Sequence, residues 1–221
     1  SIAWNFLYML KGVEPDEQEV RRFDTCLILH ADHELNASAF SARVTSSTLS
    51  GIYSSVMAAI GTLKGPLHGG ANEQVARMLL EIKSPDRLEA WLEAALASGE
   101  KIMGFGHRVY KEGDPRAKIL KAMSREITRE VGHPEMYEMS ARLEELMGQR
   151  KGLICNVDFY SASVYHSMGI PIDLFTPVFA TSRVAGWCAH VLEQYQNNRI
   201  YRPRGKYGGP TGEVYTPIDE R

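Results

Sequence analysis

Several side chains sit in settings that could carry chemistry. His68 stands between a Gly65-Pro66 turn and the Gly69-Gly70 pair. Val75, Met78, Leu79 and Ile82 then recur at i, i+3, i+4 and i+7, the mark of an amphipathic helix. His68 is thus expected at or just before a helix N-terminus. The helix dipole disfavours imidazolium there, which leaves a neutral ring able to donate a hydrogen bond, although a histidine that merely caps the turn explains the residue as well. The two glycines are expected to allow positive φ and a close ligand approach. Asp158 lies in an apolar frame between Val157 and Phe159, in or capping the first turn of a helix. As a plain N-cap it would be unremarkable in acidity. Buried, its pKa would rise above about 3.9 and make it a better base.

Two arginines raise the question of an anion. Arg116 follows Asp114-Pro115, a helix start, and a cation in a first turn opposes the dipole unless an anion is present. An arginine beside free helix N–H groups makes a carboxylate site, although a solvated arginine explains the residue equally well. Arg183 sits in the middle of a long apolar helix, where an unpaired guanidinium is costly and calls for an anionic partner from protein or ligand. His30 and His33 are read as one turn apart on a helix running through Asn36, with one packed and one facing a cleft. That spacing could hold a metal, but HExxH is absent and no third ligand is apparent. His107 follows Gly104-Phe105-Gly106, and a lone GxG without the full fingerprint excludes a nucleotide fold.

The elements that must position these residues are helices. Gly12 ends a first apolar segment, and Pro15, Asp16 and Glu17 open the next, with Val20, Phe23, Leu27 and Ile28 inside. Ala37 to Lys64 is rich in small residues, with Leu49, Ile52, Tyr53, Val56, Met57 and Ile60 at helical spacing, and reads as closely packed helices deep in the protein. Ser84-Pro85 opens a helix that Gly99 stops, and Asp114-Pro115 opens one that Gly132 stops. Pro134 to Gly148 is a Met-rich core helix, and Gly169-Ile170-Pro171 breaks the chain before a long helix over Leu174 to Gln196. Asn197 to Arg221, with Arg199, Tyr201, Arg202 and Arg204, cannot build its own core and reads as an arm laid on another surface, although its composition also allows a floppy tail.

The 221 residues carry a net charge of −2 and 44% hydrophobic residues, which allows a core and gives no electrostatic reason to expect nucleic acid. No apolar run approaches a membrane span, and no membrane partner is expected. Cys26, Cys155 and Cys188 are widely spaced in apolar surroundings, as buried thiols in a reducing compartment. The chain opens on Ser1 inside an apolar helical stretch, so an N-terminal portion is expected to be missing.

Taken as a set, these motifs resemble the citrate synthase family: HADHELNAS at His30–Ser38, GPLHGGAN at Gly65–Asn72, GFGHRVYKEGDPR at Gly104–Arg116, NVDFYS at Asn156–Ser161, LFTPVFATSRVAGWCAH at Leu174–His190 and YRPR at Tyr201–Arg204. They run in the family's order, and the dimeric bacterial and archaeal branch, including 2-methylcitrate synthases, is nearest. The resemblance implies an all-α, two-domain fold: a large domain over 1–68 and 170–221, with a smaller domain inserted over 69–169. It implies His68, His107 and Asp158 as catalytic residues: thioester polariser, ketone polariser and base. It implies His33, Arg116, Arg183 and Arg202 as oxaloacetate ligands, Arg202 reaching the neighbouring subunit, and Gly104, Phe105, Gly106 and Lys151 as the coenzyme A site. No metal and no cofactor are expected beyond the acyl-CoA substrate, and a cytoplasmic homodimer with shared active sites is. The expected reaction joins acetyl-CoA to oxaloacetate. The rivals are propionyl-CoA as substrate, a metal-dependent hydrolase built on His30 and His33, and an inactive fragment.

Overall fold

Helix signals in the sequence are followed closely by the chain. The computed structural model describes residues 1–107 and 109–221. α1 (Ile2–Lys11) ends on Gly12 at φ 71°, a left-handed cap that costs a glycine little. α2 (Glu17–His30) starts where the Asp16 side chain accepts the Glu19 N–H. α3 (Ala37–Ser47) is capped likewise by Asn36, and α4 (Ile52–Leu63) packs beside it. α5 (Ala71–Ile82) and α6 (Pro85–Ala97) follow, α6 with Pro85 in its first turn. α7 (Pro115–Glu130), α8 (Pro134–Lys151) and α9 (Val157–Ser167) come next. A 3-10 turn over Ile172–Leu174 leads into α10 (Phe175–Gln196). Among the described residues the one β interaction is an isolated antiparallel bridge, Phe105 to Cys155. None of the described helices is long and apolar enough to cross a membrane.

One hydrophobic core joins α1, α2, α5 to α9 and the first turn of α10, with Phe23, Leu79, Leu120, Leu143, Phe159 and Phe175 buried in it. A second joins α3, α4 and α10 through Ala39, Ala42, Ala59, Leu63, Phe179, Trp187 and Val191. The arm from Asn197 to Arg221 is exposed throughout, and only its start is tied down, by Asn198 to the Ser47 carbonyl and by the Tyr201 N–H to Ser47 Oγ.

Several expectations need correction. Ile28, expected on the buried face of α2, is 67% exposed, and α8 runs past Gly148 to Lys151. α2 stops at His30, and Ala31 to Asn36 form a turn in which Glu34 takes φ 48°. His30 and His33 therefore do not share a helix. In α3 and α4 the small residues face inward, Ser55 and Ala59 fully buried, while Tyr53 and Met57 are 86% and 73% exposed. Tyr53, Met57 and Ile60 of the expected stripe thus face outward, while Ile52 and Val56 pack partly against the second core. Cys26 and Cys155 are buried, but Cys188 is only partly so.

Candidate active site

The ends of several helices converge on one cavity of about 420 Å³, lined among others by His33, Asn36, His68, Gly106, His107, Arg116, Asn156, Asp158 and Arg183. Seven positions singled out in the sequence meet there although they span 150 residues, from 33 to 183.

His68 is carried by the turn between α4 and α5, held by its own N–H on the Gly65 carbonyl at 2.9 Å. Gly69 and Gly70 are needed here for closeness, not for positive φ. A Cβ on Gly69 would lie 2.5 Å from Leu63 Cδ1, and one on Gly70 3.1 Å from the Lys64 carbonyl. The Ser38 backbone N–H donates to His68 Nε2 at 3.3 Å, and Ser38 Oγ lies 2.9 Å from the same nitrogen. Since a backbone amide can only donate, Nε2 holds the lone pair and Nδ1 the proton. Trp187 Nε1 donates to Ser38 Oγ at 3.0 Å and fixes that hydroxyl from behind. Burial, and then the Arg183 charge, lower the His68 pKa to about 4. The ring is neutral, as expected, with burial the leading cause.

His107 has the opposite tautomer. Its Nδ1 accepts the N–H groups of Val109 at 3.0 Å and Tyr110 at 2.9 Å, so Nε2 carries the proton. Burial foremost keeps its pKa below the ordinary value, with Asp114 opposing and Arg116 and Lys111 assisting. The His33 ring meets it edge-on at 5.1 Å between centroids. His33 is likewise held below its ordinary pKa, by burial and then by Arg116, His107 and Arg183, and its Nε2 is buried without a hydrogen-bond partner. His30 is wholly buried behind the site, its Nδ1 2.7 Å from the Cys26 carbonyl. Burial takes it to a pKa of about 3. With one nitrogen committed to backbone and no shared helix, the His30–His33 pair has lost the basis for a metal reading.

Asp158 lies in the first turn of α9. Its N–H is accepted by Asn156 Oδ1 at 3.1 Å, while Asn156 Nδ2 donates to the Gly106 carbonyl at 3.1 Å. Asn156 N–H also donates to the Gly104 carbonyl at 2.9 Å, and Gly106 N–H to the Ile154 carbonyl at 2.8 Å. These bonds stitch the Gly104–Gly106 loop to the segment bearing Asp158. Gly104 has φ 84°, and a Cβ there would lie 2.8 Å from both Phe159 and Val75, so glycine is required twice over. Asp158 Oδ1 is buried without a partner. Burial raises its pKa to about 7 against the opposing pull of Arg116 and Arg183, with Asp114 assisting.

Arg183 is 1% exposed in the middle of α10. Its Nε donates to the His30 carbonyl at 2.6 Å and its guanidinium lies 4.7 Å from the Phe179 ring centroid. It forms no ion pair among the described residues. Burial, and next the Arg116 charge, lower its pKa to about 10, with Asp32 and Asp158 opposing. Arg116 differs: the anion its first-turn position demanded is Asp114, which takes Nε at 3.0 Å and Nη2 at 2.8 Å. Burial pushes the Asp114 carboxyl up, but these bonds outweigh it and the net shift is downward. Asp114 thereby aims Arg116 into the cavity wall, with Nη2 3.4 Å from His107 Nε2.

Four expected residues lie elsewhere. Gly104 is behind the loop, Phe105 and Lys151 line a separate cavity of about 250 Å³ with Leu96, Ile102 and Met147, and Arg202 is exposed on the arm. Sequence reasoning missed Asn36, Ser38, Asp114 and Asn156. Each is a short polar residue at or near a helix start, where its local sequence signals no more than capping.

A family model described as the citrate synthase C-terminal domain matches residues 1–204. Citrate synthase 2 of Bacillus subtilis is 61% identical over 220 residues, covering 100% of this chain and 59% of that protein. The 2-methylcitrate synthase of Shewanella oneidensis is 47% identical over 220 residues, again covering 59% of its own length. Among solved structures, citrate synthase from the thermophilic archaeon Thermoplasma acidophilum, in ternary complex with carboxymethyl coenzyme A and oxaloacetate, superposes at a TM-score of 0.93 with 42% identity. It is covered over 60% of its chain and covers all of this one. The chain thus spans about three-fifths of these relatives. With the family model matched from residue 1 to residue 204 and the helical fold shared, the chain belongs to the citrate synthase family.

Proposed function

We propose that the full-length protein condenses acetyl-CoA with oxaloacetate and hydrolyses the resulting thioester to citrate and coenzyme A. The observation that carries this reading is the meeting, in one cavity, of a carboxyl with a pKa of about 7, two neutral histidines of opposite tautomer, and a buried unpaired guanidinium. A thioester methyl is a weak acid, so base and hydrogen-bond donor must act together. Asp158 takes the methyl proton while His68 Nδ1–H donates a hydrogen bond to the thioester oxygen, giving a hydrogen-bonded enolate. The enolate carbon then attacks the ketone carbon of oxaloacetate, whose oxygen accepts the His107 Nε2 proton, and a carbon–carbon bond forms. Water then adds to the thioester carbonyl, and the coenzyme A thiolate leaves with a proton. A carboxyl near 7 suits this work, since a base operates best when its pKa lies near the working pH.

Arg183, Arg116 and His33 bind the oxaloacetate carboxylates in this account, arginine being preferred for its forked donors. Arg202 completes the neighbouring site of a homodimer, and the exposed Tyr53–Met57 face of α4 supports such a partner surface. Gly104, Phe105, Gly106 and Lys151 hold coenzyme A, supported by the second cavity beside Phe105 and Lys151. Residues 69–169 move as a small domain against 1–68 and 170–221, excluding water for condensation. A cytoplasmic location agrees with three unpaired cysteines.

Propionyl-CoA as substrate is the second reading, favoured by the 47% identity to a 2-methylcitrate synthase. One methylene in an acyl pocket separates the two by only ~1–3 kcal/mol. Release of coenzyme A thiol from acetyl-CoA and from propionyl-CoA, each with oxaloacetate, tests both. The higher kcat/KM identifies the substrate, and no release from either refutes the reaction.

A further inference from the structure

A third cavity, of about 310 Å³, lies at the other end of the helices that lead to His68 and Asp158. It is lined by Leu79, Leu80 and Lys83 at the end of α5, by His133, Glu135, Met136 and Met139 at the start of α8, and by His166 in the last turn of α9. Its floor is apolar, with Leu79, Met136 and Met139 at most 5% exposed. Its rim is basic. Glu135, the one carboxylate in the lining, is already engaged by His133 at 3.0 Å. Lys83 and His166 meet no other acid there. Burial, followed by the nearby His133, holds the His166 pKa below its ordinary value, so its ring is a neutral hydrogen-bonding group and Lys83 is the standing charge. Lys83 also closes α5 at φ 71°, a conformation that glycine adopts freely and lysine does not. The strained backbone thus carries an ammonium group at the cavity, where an unstrained cap would carry no side chain at all.

We propose that this cavity is a regulatory binding site for a small organic anion, whose carbons rest on Leu79, Met136 and Met139 and whose charged end meets Lys83 and His166. Occupancy is felt at the reaction centre because α5 packs along α9. The turn bearing His68 feeds α5, Asp158 begins α9, and both helices end here, roughly 16–18 Å away. Such a ligand changes the rate only by favouring one arrangement of this helix pair over another.

The binding half of this inference is independent of the proposed reaction, and the regulatory half rests on it. The test is calorimetric titration of hexanoate into the full-length protein saturated with oxaloacetate, with 1-hexanol as the uncharged control. Expected are hexanoate binding, no comparable 1-hexanol binding, affinity roughly tenfold or more lower in Lys83→Met and lower in His166→Gln, and a hexanoate-dependent change in coenzyme A release that Lys83→Met abolishes. Equal affinity in wild type and Lys83→Met, competition with oxaloacetate, absence of binding, or binding without a change in rate overturns the inference. Lys83-dependent binding in a protein that releases no coenzyme A instead counts against the proposed reaction and leaves the binding site standing.

Discussion

Replacing Asp158 by asparagine should stabilise the fold, and by an amount that depends on pH. The carboxyl has a pKa of about 7 in the folded protein against 3.8 ordinarily, because burial leaves Oδ1 without a partner. At 1.36 kcal/mol per tenfold change in acidity, that difference is about 4 kcal/mol. The sign follows from which state binds the proton more tightly. Below pH 4 the carboxyl is protonated folded or unfolded, and the site costs nothing. As pH rises from 4 towards 7 the unfolded chain releases its proton freely while the fold resists, so stability contributed by the protonated site is lost. Above 7 the penalty is complete and constant. Asparagine has no proton to lose and avoids it. Urea unfolding of the full-length protein, wild type and Asp158→Asn, should therefore give equal stabilities near pH 4 and a gain of up to about 4 kcal/mol for the variant at pH 8. A difference independent of pH, or a variant less stable at pH 8, would refute the claim that this carboxyl is strained by its surroundings. Such a cost is what a site tuned for chemistry imposes on its own fold.

Other positions report on how the site is held. Gly186 packs on the Ala31 carbonyl and donates its N–H there, and a Cβ would lie 2.7 Å from Asp32 Oδ1. Gly186→Ala should displace the turn bearing His33, with overpacking of ~1–3 kcal/mol appearing as a lower melting temperature and weaker oxaloacetate binding by calorimetry. An unchanged affinity would detach that turn from the ligand. Arg183→Leu should weaken oxaloacetate binding by ~1.5–3 kcal/mol, roughly tenfold or more, and an equal dissociation constant would remove it from the clamp. Asn156→Ala unties Asp158 from the Gly106 loop. It should lower kcat and cost about 0.5–2 kcal/mol in stability, and unaltered kcat would leave Asn156 a helix cap only.

The helices were legible because each carries its own signals. Asp16 and Asp114 cap helix starts, Pro85, Pro115 and Pro134 occupy first turns, and Gly12 closes an end. The break after His30 was not legible, since Ala31 to Leu35 contains neither glycine nor proline and Glu34 takes its positive φ unannounced. The outward face of α4 escapes the sequence for a different reason. Periodicity reveals that a helix has two faces, and here Ser55 and Ala59 are the buried one because small residues let α3, α4 and α10 approach closely. In the site, the type and burial of Arg183 and Asp158 could be argued locally, from the cost of an unpaired charge. Their neighbours could not, because Asn36, Ser38, Asp114 and Asn156 look like ordinary caps until the fold brings His68, Arg116 and Asp158 against them.

The central claim is that Asp158 removes the proton that starts the reaction. The most direct measurement is coenzyme A release by full-length Asp158→Asn, taken beside its oxaloacetate dissociation constant. Turnover should fall by ~10²–10⁴-fold, the share of a positioned base, with oxaloacetate affinity little changed. Normal turnover with intact binding would contradict the account.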